Sequence, residues 1–146
     1  MKKLKFITLI LTIALVAVSC ETYDDYDTDR PTIVGFAKKS QNVNGVPEGG
    51  TKDQTLDVFV SDVSNTDRSF EIVVVPIPDP VTNVPTASEN YTFDASVTIP
   101  ANERIGTITL TAVDVSLTKD RTYVMLGIKE GSGYIAGGTI LVGLKN

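Results

Sequence analysis

Histidine and tryptophan do not occur in this chain of 146 residues, and cysteine occurs once. The missing imidazole removes the commonest general base and the commonest ligand for transition metals. The missing indole removes the best aromatic platform for stacking. The single cysteine, Cys20, has no partner for an internal disulfide. No apolar run reaches the roughly 17–25 residues that a membrane-spanning helix needs. The longest, Phe6 to Val18, holds 13 and is polar only at Thr8 and Thr12. A positive balance is lacking too: 13 basic side chains meet 18 acidic ones, a formal net charge of −5. An acidic chain argues against nucleic acid or anionic lipid as a partner.

What is there begins with Lys2, Lys3 and Lys5 ahead of the apolar run, with Val16-Ala17-Val18-Ser19 leading into Cys20. A basic start, a short apolar core and small residues at the cut are a secretory signal peptide, residues 1–19. Small residues before a lone cysteine resemble the lipobox of bacterial lipoproteins, with Ala17 where that family favours Leu. The resemblance implies that Cys20 becomes the lipidated, palmitate-bearing first residue of the mature protein; an ordinary cleaved signal with an incidental thiol is the alternative. One acyl chain gives only marginal membrane binding, at about 0.8 kcal/mol per buried CH₂, whereas several chains hold firmly. Without the three leader lysines the balance is 10 basic against 18 acidic side chains.

Residues 20–31 read as a tether. Glu21 to Arg30 has five acids, one base and no aliphatic residue, which can build neither a core nor a stable strand and predicts a disordered, self-repelling linker. Its reach from Cys20 to Pro31 is at most about 36–40 Å, at roughly 3.3–3.6 Å per residue. Acidic residues just after a lipidated cysteine also resemble an export signal that sends lipoproteins of some Gram-negative bacteria to the outer face of the outer membrane. The periplasmic face is the alternative location. Asp24, Asp25, Asp27 and Asp29 lack the glycine and the distal Glu of an EF-hand loop.

Residues 32–146 are of one size and texture: short apolar runs broken by turn residues, enough for one domain with a real core. Strands are predicted over Thr32 to Lys38, Asp53 to Val60, Ser69 to Ile77, Tyr91 to Ile99, Ile105 to Val113, Arg121 to Lys129 and Gly138 to Leu144. Asn44-Gly45, Gly49-Gly50 and Pro100-Ala101-Asn102-Glu103 carry turn chemistry. Pro76, Pro78 and Pro80 cannot donate to a ladder and end the third run. β-Branched residues dominate every apolar run, and no helical period occurs. The fold class is all-β: an antiparallel sandwich of about seven strands, with a small barrel as the rival architecture.

A second resemblance lies in the order Val46-Pro47-Glu48-Gly49-Gly50, Glu89-Asn90-Tyr91-Thr92, Ile99-Pro100-Ala101-Asn102 and Ile105 through Asp114, continued by Arg121-Thr122-Tyr123-Val124-Met125-Leu126. Over roughly Ile33 to Leu144 this is similar to the Calx-beta domain, which implies an immunoglobulin-like sandwich. The resemblance would turn Tyr91, Tyr123 and Met125 inward, in competition with Val124, Leu126 and Ile128; covering both faces of a central strand would resolve this. It also implies a calcium site, for which Glu48, Asn90 and Asp114 stand at the matching positions. Asn90 replaces an acid, and Asp114 is followed by Val115 and Ser116 where the family carries another acid. Ca²⁺ takes 6–8 oxygens, several of them carboxylate, so two carboxylates fall short and no cofactor is expected.

Catalysis finds little support. Glu71, Glu89, Asp94, Glu103 and Asp114 are the candidate carboxylates of the folded part, and no motif places two of them as an acid–base pair. Glu71 lies inside an apolar run, either as a raised-pKa acid or as an outward strand residue. A serine nucleophile would need a lysine base, and Lys38, Lys39, Lys52, Lys119, Lys129 and Lys145 all fall at strand ends or turns. Gly131 to Gly137 is glycine-rich, but strands flank it on both sides, so it reads as a hairpin connection and not a phosphate loop. Tyr134 at its tip is the most exposed-looking aromatic and the candidate ligand contact, or else a tyrosine packing on its own hairpin. The sequence thus predicts a non-catalytic, lipid-anchored surface sandwich that binds a protein or polysaccharide through loops at one end. A calcium-binding module and a small exported hydrolase are the alternatives.

Overall fold

The computed structural model describes residues 30–146; Cys20, the leader and all but the last residues of the tether lie outside them. Pro31–Asn146 forms one compact unit that contains every strand and the whole core. Ten strands follow in order: β1 Thr32–Phe36, β2 Ser40–Val43, β3 Thr51–Val60, β4 Arg68–Val74, β5 Tyr91–Phe93, β6 Ser96–Ile99, β7 Ile105–Val113, β8 Thr122–Ile128, β9 Tyr134–Ala136 and β10 Ile140–Leu144. They build two five-stranded sheets, ordered β5-β7-β3-β1-β9 and β2-β10-β8-β4-β6. The fold is an immunoglobulin-like β-sandwich.

Alternation sets which side chains meet between the sheets. Leu56, Val58 and Val60 of β3 pack with Ile108, Leu110 and Ala112 of β7, and Val124, Leu126 and Ile128 of β8 close on them from the other sheet. Each fully buried aliphatic side chain of this kind contributes about 1.5–3 kcal/mol. Thr107, Thr109 and Thr111 stand outside, level with Asp57, Thr55 and Asp53. The competition on β8 is settled by the same alternation: Val124, Leu126 and Ile128 are buried, while Tyr123 and Met125 lie half-covered on the outer face.

Seven predicted runs become ten strands because Tyr91 to Ile99 divides between the sheets and two stretches outside the predicted runs, Ser40–Val43 and Tyr134–Ala136, add β2 and β9. β1 passes to β2, β5 to β6, and β9 to β10, in each case from the first sheet to the second. The predicted strand Tyr91 to Ile99 is therefore two, broken at Asp94-Ala95, where Asp94 N–H still pairs with Thr109 while Ala95 C=O already accepts from Ile72. The antiparallel expectation also needs correction at the flank where the first and last runs meet. β1 pairs with β9, and β2 with β10, in parallel. Gly131 to Gly137 is accordingly no simple hairpin: it leaves the second sheet, adds β9 to the first, and returns as β10.

Close approach of backbones is what the crossings require. A Cβ on Gly35 would stand 2.5 Å from the Gly138 nitrogen, where β1 and the last run exchange sheets side by side. On the opposite flank a Cβ on Gly106 would stand 2.6 Å from the Thr98 carbonyl oxygen, as β6 passes β7. Periodicity does not report such contacts, because they depend on which backbones lie against each other.

Candidate functional site

The three positions expected for calcium converge at one end of the sandwich. Pro47 to Gly50 is a tight turn closed by the Gly50 N–H on the Pro47 carbonyl at 2.8 Å, with Gly49 at φ 63°. That turn directs the Gly49 N–H, next to Glu48, onto Asp114 Oδ2 at 3.1 Å. The other oxygen of Asp114 accepts the Leu117 N–H at 3.0 Å. Asn90, only 3% exposed, accepts the N–H groups of Val115 (3.1 Å) and Ser116 (2.9 Å) on Oδ1 and donates from Nδ2 to Ser116 Oγ. Oxygens that would face a cation are thus turned onto backbone N–H groups, and they lock the loop after β7. Among the described residues no three acids gather as a metal-binding group.

The carboxylates and the loop aromatic take different places. Glu71 points outward and pairs with Lys129 Nζ at 2.8 Å, both side chains more than half exposed. Tyr134 opens β9 beside Thr32. Its ring meets Phe70 edge-on at 5.0 Å, and its hydroxyl donates to the Lys129 carbonyl at 2.7 Å. The remaining edge of the ring borders a shallow hollow of about 340 Å³ with Thr32, Arg68 and Ser132.

A larger groove opens on the flank where β5 becomes β6. β6 pairs only with Arg68 to Glu71 of β4, so the end of β4 has no neighbour on that side. Val74 faces inward, level with buried Leu126, yet is 50% exposed. Pro76 then turns the chain away, and it comes back at Val84 to Thr86 along the edge of β8. There the Tyr123 backbone N–H donates to the Val84 carbonyl (2.9 Å), and the Tyr123 carbonyl accepts the Thr86 N–H (2.7 Å). Between departure and return a cleft of about 360 Å³ is left, bordered by Val74, Pro76, Ile77, Thr86, Tyr91 and Tyr123 among others. That volume falls within the ~300–1,000 Å³ of small-molecule sites.

The walls are firm and uncharged. Asp79 holds the proline-rich loop by accepting the N–H groups of Val81 and Thr82, both at 3.2 Å. Tyr91 stacks on Phe93 at 6.3 Å, and burial pushes its phenol above the ordinary value of 10.0. The Thr86 hydroxyl donates to Thr122 Oγ1 at 2.8 Å, leaving its lone pairs directed elsewhere. Among the described residues no Asp, Glu, Lys or Arg borders the cleft. Sequence reasoning missed it, since β5 and β6 read as one strand and the cleft exists only because they are two.

The cleft also lies far from where the chain enters. Thr32 sits beyond Val60, at the β3–β7 end marked by Phe59 opposite Ile105, whereas Tyr91 pairs with Ala112. Seven residues of ladder separate those levels, about 24 Å at ~3.4 Å per residue.

Solved structures share this architecture. A candidate carbohydrate-binding protein from Bacteroides ovatus aligns with 77% of this chain at TM-score 0.61 and 10% identity. A two-domain protein of unknown function from Bacteroides fragilis aligns with 81% at TM-score 0.59 and 18% identity. The chain spans 36% and 46% of those two proteins. A PapD-like domain of human CEP192 aligns with 77% of this chain over 84% of its own length, at TM-score 0.53 and 11% identity. At such identities the likeness is one of fold. No protein-family model matches the sequence, and no curated protein does.

Proposed function

We propose that this chain is a lipid-anchored, non-catalytic β-sandwich of the outer membrane that binds carbohydrate in the cleft beside Tyr91 and Tyr123. The observation that carries the reading is the position of that cleft: a firm, uncharged recess at the end of the sandwich away from the point where the tether arrives. A module held by acyl chains on Cys20, through the acidic tether, would present this end outward. The tether's acids favour the cell surface over the periplasmic face. The carbohydrate-binding description of a Bacteroides ovatus protein with the same fold supports the ligand class.

On this reading the Calx-beta resemblance concerns architecture, and calcium has no part. Asn90 and Asp114, with the Gly49 N–H beside Glu48, serve as a hydrogen-bonded clasp on the loop after β7. Catalysis has no part either, since Glu71 is engaged with Lys129 at the surface and no second carboxylate faces it across a cleft. The direct test is a glycan array probed with residues 31–146, which hold the entire core. Binding to a restricted set of glycans is expected; a blank array combined with capture of a protein ligand would replace carbohydrate by protein as the partner.

A further inference from the structure

Resting on the carbohydrate reading, we infer that the cleft is built for a neutral N-acetylated sugar, with the acetamido group as the part recognised. Three features of the cleft lead there. First, its border carries no ionisable acid or base other than the two phenols, on a chain whose net charge is −5. A uronate or sulfated sugar would meet no countercharge and would be repelled by the molecule as a whole. Second, the side-chain polar groups on the side of Val74 are few: the Tyr91 hydroxyl and Thr86 Oγ1, whose proton is engaged on Thr122. A ring that buried many hydroxyls here would leave most of them without partners, at about 1–3 kcal/mol each.

Third, the inventory fits an amide with an apolar end. A secondary amide offers one N–H, one carbonyl and, in the acetyl case, one methyl. Thr86 Oγ1 is the available acceptor for the N–H, and a phenol O–H is a donor for the carbonyl. Val74, half exposed although it faces inward, together with Pro76 and Ile77, is the apolar surface a methyl group would cover. The sugar ring then lies toward solvent, where its hydroxyls stay hydrated. An extended peptide strand is a poorer occupant, because Pro76 removes a backbone N–H from the same edge just after Val74.

The test uses residues 31–146 labelled at backbone amides and at Val and Met methyl groups, titrated separately with the methyl glycosides of N-acetylglucosamine, glucose, fucose and glucuronic acid. Saturable shifts at Val74 are expected with the N-acetylated sugar. They should be about tenfold weaker or absent with the other three. Tyr91→Phe should weaken binding by about threefold to tenfold, the loss of one hydrogen bond. Val74→Asp, at a site already half exposed, should abolish it while circular dichroism shows the fold intact. Equal response to glucose, fucose or glucuronate overturns the acetamido assignment. Sugar-dependent shifts confined to the Tyr134 hollow overturn the cleft as the site and leave the carbohydrate reading standing. Failure of every sugar here, together with a blank array, overturns that reading and this inference with it.

Discussion

Asn90 shows how much one amide holds. It is buried, and its three hydrogen bonds fix Val115 and Ser116. Asn90→Ala leaves two N–H groups without an acceptor and should cost about 2–4 kcal/mol. Urea denaturation should register this as a lower midpoint at unchanged slope. Asp62 gives a pH-dependent case. Burial raises its pKa, but the Arg68 guanidinium and the Thr32 hydroxyl outweigh that and hold the carboxyl below its ordinary 3.8. The folded chain therefore binds fewer protons than the unfolded one in this range. The contribution is complete above about pH 5 and is lost as the pH falls through the folded value. Since half of the Asp62 side chain is exposed, Asp62→Asn should lower stability at pH 7 by only about 0.2–1 kcal/mol. The diagnostic result is a shallower fall in melting temperature between pH 5 and pH 2.

Among the elements, the crossing strands are the parts that periodicity understates. Where β1 and the last run exchange sheets, Gly35 tolerates no side chain, because the obstruction is the backbone of Gly138. Gly35→Ala should cost about 1–3 kcal/mol through forced separation of the two runs. Gly45 is the contrasting case, with φ 64° but nothing within 4 Å of a Cβ. Gly45→Ala meets only the left-handed backbone penalty of roughly 1–2 kcal/mol. Thermal melts of both variants, with amide exchange at β1 and β9, separate the two causes: only Gly35→Ala should loosen those strands. The same device explains the cleft. β6 stops short along β4 because its chain has to come from β5 in the other sheet.

For the whole molecule, the proposed anchor on Cys20 and the proposed binding cleft involve different residues, which makes the two roles separable. Cys20→Ser should move the chain from the membrane to the soluble fraction without altering the melting temperature of residues 31–146. Mass spectrometry of the wild-type mature product should find acyl chains on Cys20. Calcium should leave the melting temperature of residues 31–146 unchanged relative to chelator. Binding at a hundred times its Kd would instead add about 2.7 kcal/mol and be plain in the melt.

The expected leader, the acidic stretch and the all-β character are read from local chemistry: a run of aliphatic residues, a run of acids, and alternating β-branched side chains each act over a few neighbours. The buried sets on β3 and β7 were legible for the same reason, since Leu56, Val58, Ile108 and Leu110 lie on one face by alternation alone. Local chemistry did not determine which runs divide between the sheets, why Gly35 must be glycine, or that Val74 would face inward and stay half bare. Those outcomes depend on strands distant in sequence arriving beside one another. The cleft is the space left where β4 ends and its neighbours belong to different sheets, so only the tertiary structure could place it.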